Sequence, residues 1–160
     1  MAVLVLPADG TAAVARSVAS VLAQSEPAVD VLLVGGEEAP RDAGPGDPRL
    51  RSRTVPGATH GAMLHAALEG ARAPYVCLLR AGDVLDADAI FRHVDAIEAY
   101  PPPAATLARV APRGTEDGTP APAPSEPAPT RGRALHATLR GAPPPLGASL
   151  VRRDLALAAG

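Results

Sequence analysis

Residues 75–83 read YVCLLRAGD. The first five, Tyr75 to Leu79, form a continuous apolar run, and Arg80, Ala81, Gly82 and Asp83 interrupt it with turn chemistry. A short apolar run closed by Gly and a charged residue reads as a strand buried on both faces. Working outward, the same unit recurs upstream. Ala2 to Leu6 stops at Pro7, Asp9 and Gly10, and Val29 to Val34 stops at Gly35 and Gly36. Between these runs the spacing is helical. Val14, Val18, Val21 and Leu22 fall at i, i+4, i+7 and i+8, with Thr11 as a cap and Pro27 as a stop. Leu64, Leu68 and Ala71 make a second stripe, and Ala87, Ile90, Phe91, Val94 and Ile97 a third. The third helix is expected to start at Asp83 or Asp86 and to end at Pro101 to Pro103. Leu50 to Val55 and Ala104 to Val110 read as further strands, the former partly exposed. Strands alternating with helices predict βαβ crossovers, hence an α/β fold with a mostly parallel sheet and flanking helices.

Composition narrows the class. The 160 residues include 35 Ala, 19 Pro and 15 Gly, and no Lys, Asn or Trp, so all 15 basic residues are arginine. Leu, Val, Ile and Phe together make up about 22% of the chain, enough for one core. A net charge of −2 without a basic block speaks against nucleic acid. No apolar run is long enough for an integral membrane segment, and MAVLVLPADG lacks the basic start of a signal peptide. A single cysteine, Cys77, excludes a disulfide framework and suits a reducing compartment. The expected location is cytoplasmic, with attachment at the periphery of a membrane as the other option. Cys77 lies mid-strand, so a buried, inert thiol is expected. His60, His65, His93 and His136 lack metal-ligand spacing and read as surface residues.

Organisation changes after residue 110. Residues 111–133, APRGTEDGTPAPAPSEPAPTRGR, contain no apolar side chain larger than alanine, and their Pro-Ala alternation favours an extended, flexible segment. Residues 134–160 hold a short helix at Leu135 to Leu139, an extended piece near Ala148 to Val151 and a final helix. Three units result: a βαβ core at 1–110, the Pro/Ala-rich segment at 111–133, which offers a surface for a protein partner, and a partial unit at 134–160.

Ligands of open parallel sheets bind beyond the carboxyl ends of the strands. The loops to inspect are Pro7-Ala8-Asp9-Gly10, Gly35-Gly36-Glu37-Glu38 and Arg80-Ala81-Gly82-Asp83. At these residues the chain resembles a known family. VLVLPADGTAAVARSVASVLAQSEPAVDVLLVGG, DPRLRSRTVPG and ALEGARAPYVCLLRAGDVLDADAIFRHVDAIEAYP are similar, in that order, to the amino-terminal part of family 2 glycosyltransferases. The tail GASLVRRDLALAAG resembles a later segment of that family. The resemblance implies a GT-A (Rossmann-like) fold, truncated on its C-terminal side, with residues 1–110 as the nucleotide-sugar-binding core and 134–160 as part of the acceptor side. It implies inverting transfer of a sugar from a nucleotide diphosphate donor to an acceptor hydroxyl, with a divalent metal, Mg or Mn, against the diphosphate.

On this resemblance the donor-binding candidates are Pro7, Ala8, Asp9, Gly35, Gly36, Arg80 and Asp83. Asp83 is also the one metal candidate. The chain departs from the family at these same places. Ala8, Asp9 and Gly10 replace the usual Thr-Tyr-Asn, Gly35 and Gly36 replace paired acids, and Arg80-Ala81-Gly82-Asp83 replaces an Asp-x-Asp-Asp motif. The family's general base falls beyond the helix that follows Arg152 and Arg153, past the last residue here. Weak or absent catalysis is therefore expected, with a non-catalytic binding or scaffolding module as the alternative. Two readings stay open at the third loop. Asp83 and Asp86 also suit a helix N-cap, and Gly35-Gly36 a plain turn. Arg80 suits either a solvent-facing strand end or a cation that pairs with a diphosphate in place of a metal, with Arg152 and Arg153 adding to it.

Overall fold

Every apolar run expected to be a strand is one. In a computed structural model that describes residues 2–6, 11–36, 46–57, 59–98, 105–107 and 149–159, the elements follow in the order β1 (Ala2–Leu6), α1 (Thr11–Leu22), β2 (Asp30–Gly35), β3 (Leu50–Thr54), α2 (His60–Gly70), β4 (Tyr75–Arg80), α3 (Ala89–Glu98), β5 (Ala105–Leu107), β6 (Ser149–Arg152) and α4 (Arg153–Ala158). They form one six-stranded sheet of order β3-β2-β1-β4-β6-β5. β3, β2, β1 and β4 run parallel, and β6 lies antiparallel between β4 and β5. The α/β, mostly parallel expectation holds.

Side-chain alternation along the strands builds two apolar layers. Val31, Leu33, Cys77, Leu79 and Leu150 pack against Val14, Val18 and Val21 of α1 and Ile90 of α3. Leu32, Val34, Val76 and Leu78 pack on the other face, against Ala67 and Leu68 of α2 and Ala71, with Ala156 and Leu157 of α4 partly buried beside them. Both faces of the central strands are covered, which is why β2 and β4 read as unbroken apolar runs. Each buried Val or Leu contributes about 1.5–3 kcal/mol. At the end of α2, a Cβ on Gly70 would stand 3.0 Å from Leu32 Cδ2, so a larger residue there would push the Leu32 side chain.

Two local expectations change. Gly35 belongs to the strand rather than to the following turn. It pairs with Thr54, is buried, and its carbonyl accepts from Val55 N at 2.9 Å, so the parallel ladder with β3 carries it. α3 begins at Ala89, later than Asp83 or Asp86. β5 is described at Ala105–Leu107, and the remainder of the Ala104 to Val110 run lies outside the described residues. The 111–133 segment and the helix expected at Leu135 to Leu139 lie outside the described residues.

Candidate functional site

The sheet order fixes where a crevice opens. From β1 the chain steps to β2 and β3 on one side, then returns to add β4 on the other side. Ligands of such sheets sit at this switch point, outside the carboxyl ends of the two diverging strands. The register aligns Leu6 with Arg80, so the carboxyl ends of β1 and β4 lie side by side. Arg80 and Asp83 are both exposed there. Pro7, Ala8 and Asp9 lie outside the described residues. Gly35 and Gly36 stand at the end of the neighbouring strand, and the space where a Gly36 Cβ would be is open.

The loop after β4 has a defined shape. Asp83 N donates to Arg80 O at 3.0 Å, closing a turn, and Gly82 at φ +99° sits where L side chains are strained. One polar stripe of α1 holds this loop. Ser17, fully buried, donates from Oγ to Asp83 O at 2.7 Å and accepts from Gly82 N at 2.9 Å. Ser20 Oγ accepts from Leu85 N at 3.2 Å and donates to Ser17 O at 2.7 Å. Gln24 donates from Nε2 to Asp86 O at 2.7 Å and accepts through Oε1 from Ile90 N at 3.0 Å. Ser17 and Ser20 share one face of α1, and Gln24 continues that line just past the end of the helix.

Gln24 also explains the late start of α3. Asp88 takes the N-cap position, its carbonyl accepting from Arg92 N, but its carboxylate turns to the Arg92 guanidinium at 2.6 Å. The first-turn N–H of Ile90 is satisfied instead by Gln24, just past the end of α1 and more than sixty residues earlier. Buried N–H groups at a helix start need such a partner. Asp83 and Asp86 enter through their carbonyls, as acceptors for Ser17 and Gln24.

The other arginines are occupied elsewhere. Arg152 pairs in register with Tyr75, the first residue of β4, whereas Arg80 is the last. Five strand steps separate the two ends by about 16 Å. Arg152 is bound to Asp154, and its guanidinium holds that carboxyl below the usual carboxylate range. Arg153 Nε donates to Leu68 O at 2.7 Å and its Nη2 to Glu69 O at 3.2 Å. Arg53 Nη1 donates to Ala66 O at 2.7 Å, and Arg51 pairs with Asp30 at 3.2 Å. Arg153 and Arg53 thus cap the free carbonyls in the last turn of α2, where the helix dipole favours cations. Arg152 and Arg153 do not add to a site at Arg80. Arg49 plays the same part at Leu22 O of α1 and lowers the carboxyl of Asp47 through their hydrogen bond.

A divalent metal does not fit the described part of this mouth. Asp83 is the one carboxylate of the 80–83 loop, the cationic Arg80 stands beside it, and among the described residues no three His, Cys, Asp or Glu side chains gather to hold a metal. His60 opens α2, and His65 lies 3.5 Å from Glu69. His93, expected at the surface, is buried, and its burial lowers its pKa. Cys77 is buried as expected, its thiol pushed up to about 12.

No protein-family profile and no curated protein matches the chain. Solved structures do. S. aureus TarS, residues 1–349, superposes with a TM-score of 0.67 at 14% identity, over 99% of this chain and 48% of that one. The fold is glycosyltransferase-like, of the GT-A type. The chain spans about half the length of the TarS structure it matches. The same protein in complex with UDP-GlcNAc gives a TM-score of 0.50 at 13% identity, over 61% of this chain and 31% of that one. Within this GT-A-type fold, the loop after β4 stands where the strand pattern put it, but the clasp that holds it was not foreseen. Its signal was present as Ser17, Ser20 and Gln24, polar residues on or just past a helix whose Val14, Val18 and Val21 are buried.

Proposed function

We propose that the chain is the donor-side portion of a family 2-like glycosyltransferase and binds a nucleotide diphosphate sugar in the β1–β4 crevice, with inverting transfer weak or absent. The observation that supports this best is the Leu6–Arg80 register, which sets the carboxyl ends of β1 and β4 side by side at the switch point of a GT-A-type sheet. The likeness to a protein crystallised with UDP-GlcNAc suggests the class of ligand. A cytoplasmic setting agrees with the one buried thiol. Weak transfer agrees with Arg80 and Gly82 standing where the family's metal-binding acids would be. Calorimetry and thermal shift with UDP, GDP, dTDP and their sugars test the reading, together with release of free nucleoside diphosphate as the readout of transfer. Heat and a raised melting temperature with at least one nucleotide are expected, with little turnover. If none binds, the donor reading fails, and a non-catalytic scaffold that joins its protein partner through 111–133 replaces it.

A further inference from the structure

Resting on the nucleotide-sugar reading above, we propose that the crevice takes the diphosphate of a nucleoside diphosphate without a divalent cation, the Arg80 guanidinium supplying the counter-charge. Two carbonyl oxygens of the loop are already engaged. Arg80 O accepts from Asp83 N at 3.0 Å, and Asp83 O accepts from Ser17 Oγ at 2.7 Å. A hard cation asks for about six oxygen ligands, carboxylates foremost, and Asp83 is the one carboxylate of the 80–83 loop.

The local field also favours an anion. Ala13 O, in the first turn of α1, lies 3.3 Å from Gly82 N, which places the positive end of that helix beside the loop. Arg80 adds a full positive charge at the same mouth. Its side chain is exposed and has no ion pair among the described residues. By contrast, the guanidinium groups of Arg51, Arg53 and Arg153 are taken up at α2 and β2. A guanidinium presents a planar fork of donors that matches phosphate oxygens, and it carries its charge at every physiological pH. The backbone beneath it is held by the Asp83–Arg80 turn and by Ser17, so the fork starts from a fixed point.

Isothermal titration of the full chain with UDP, once in EDTA and once with manganese, tests this. Equal affinity in both is expected. Inorganic pyrophosphate should compete with UDP, because the proposed contact is with the diphosphate and not the base. Arg80→Ala should weaken UDP binding about tenfold or more, and Arg80→Lys less, since it keeps the charge and loses the fork. Arg72→Ala, the same change of charge near the start of β4, should leave the affinity unchanged. Arg80 is exposed, so its variants should keep the wild-type unfolding midpoint. UDP binding that requires manganese, or that is the same in Arg80→Ala, overturns the proposal and leaves the nucleotide reading standing. No heat with UDP, GDP or dTDP under either condition removes the nucleotide reading itself.

Discussion

The two ends of β4 are held by different chemistry. At its carboxyl end a neutral clasp, Ser17, Ser20 and Gln24, binds the backbone of the following loop through hydroxyl and amide groups. At its amino end, charged side chains do the comparable work, with Arg153 and Arg53 closing the last turn of α2. The difference shows that an arginine in this chain cannot be read by its type. Those near α2 are consumed by helix carbonyls, while the one at the crevice stands on a loop held through its backbone by a neutral serine. A neutral clasp leaves Arg80 without an ion pair among the described residues, so its guanidinium is free to meet an anion.

The comparison can be broken most forcefully at Gln24. Gln24→Ala removes the acceptor for Ile90 N and the donor to Asp86 O, and buried groups left unpaired are costly. A loss of about 3 kcal/mol is expected, read as a lower urea midpoint with little change in slope. A wild-type midpoint would mean that the clasp contributes nothing. Arg153→Ala, on the charged side, should cost about 1–2 kcal/mol, because water can reach the partly exposed carbonyls of Leu68 and Glu69. If it costs more than Gln24→Ala, the ranking of the two ends reverses.

His93 sharpens the comparison through pH. Burial lowers its pKa from the ordinary 6.5, so the folded chain favours the neutral ring. Above pH 6.5 the stability from this preference is fully present. As pH falls from 6.5 through the lowered folded value, the unfolded chain takes up the proton first and stability drops. Unfolding midpoints measured between pH 7.5 and pH 5, conditions within about two units of the ordinary histidine value, should fall for the wild type. They should fall less in His93→Leu. The smallest effect belongs to the exposed Arg92–Asp88 pair, where Arg92→Ala should change stability by about 0.5 kcal/mol or less.

Much of the architecture was legible because it rests on local periodicity. The runs at Val29 to Val34 and Tyr75 to Leu79 could bury both faces only inside a sheet, and the stripe at Val14, Val18 and Val21 fits only a helix against it. The loops at the carboxyl ends of β1, β2 and β4 followed from the same pattern. The clasp was harder to see. Ser17 and Gln24 look like ordinary helix residues until the loop they hold is placed beside them, and an N-cap written into Asp83 or Asp86 by proximity was supplied by Gln24 instead. His93 went astray for a related reason: a polar residue gives no local sign that its neighbours will bury it.

Sequence alone thus determined the order of strands and helices, the glycine-bearing loop after β4 and the absence of acids at positions 80 and 82. Each of these is a property of residue type and spacing along the chain. Only the tertiary structure decided that Arg152 and Arg153 face away from Arg80, at the other end of β4, because β6 enters the sheet antiparallel and pairs Arg152 with Tyr75. It alone decided which donors and acceptors were spent. A hydrogen bond between residues more than sixty positions apart depends on how strands pair and helices pack, and no local period encodes that.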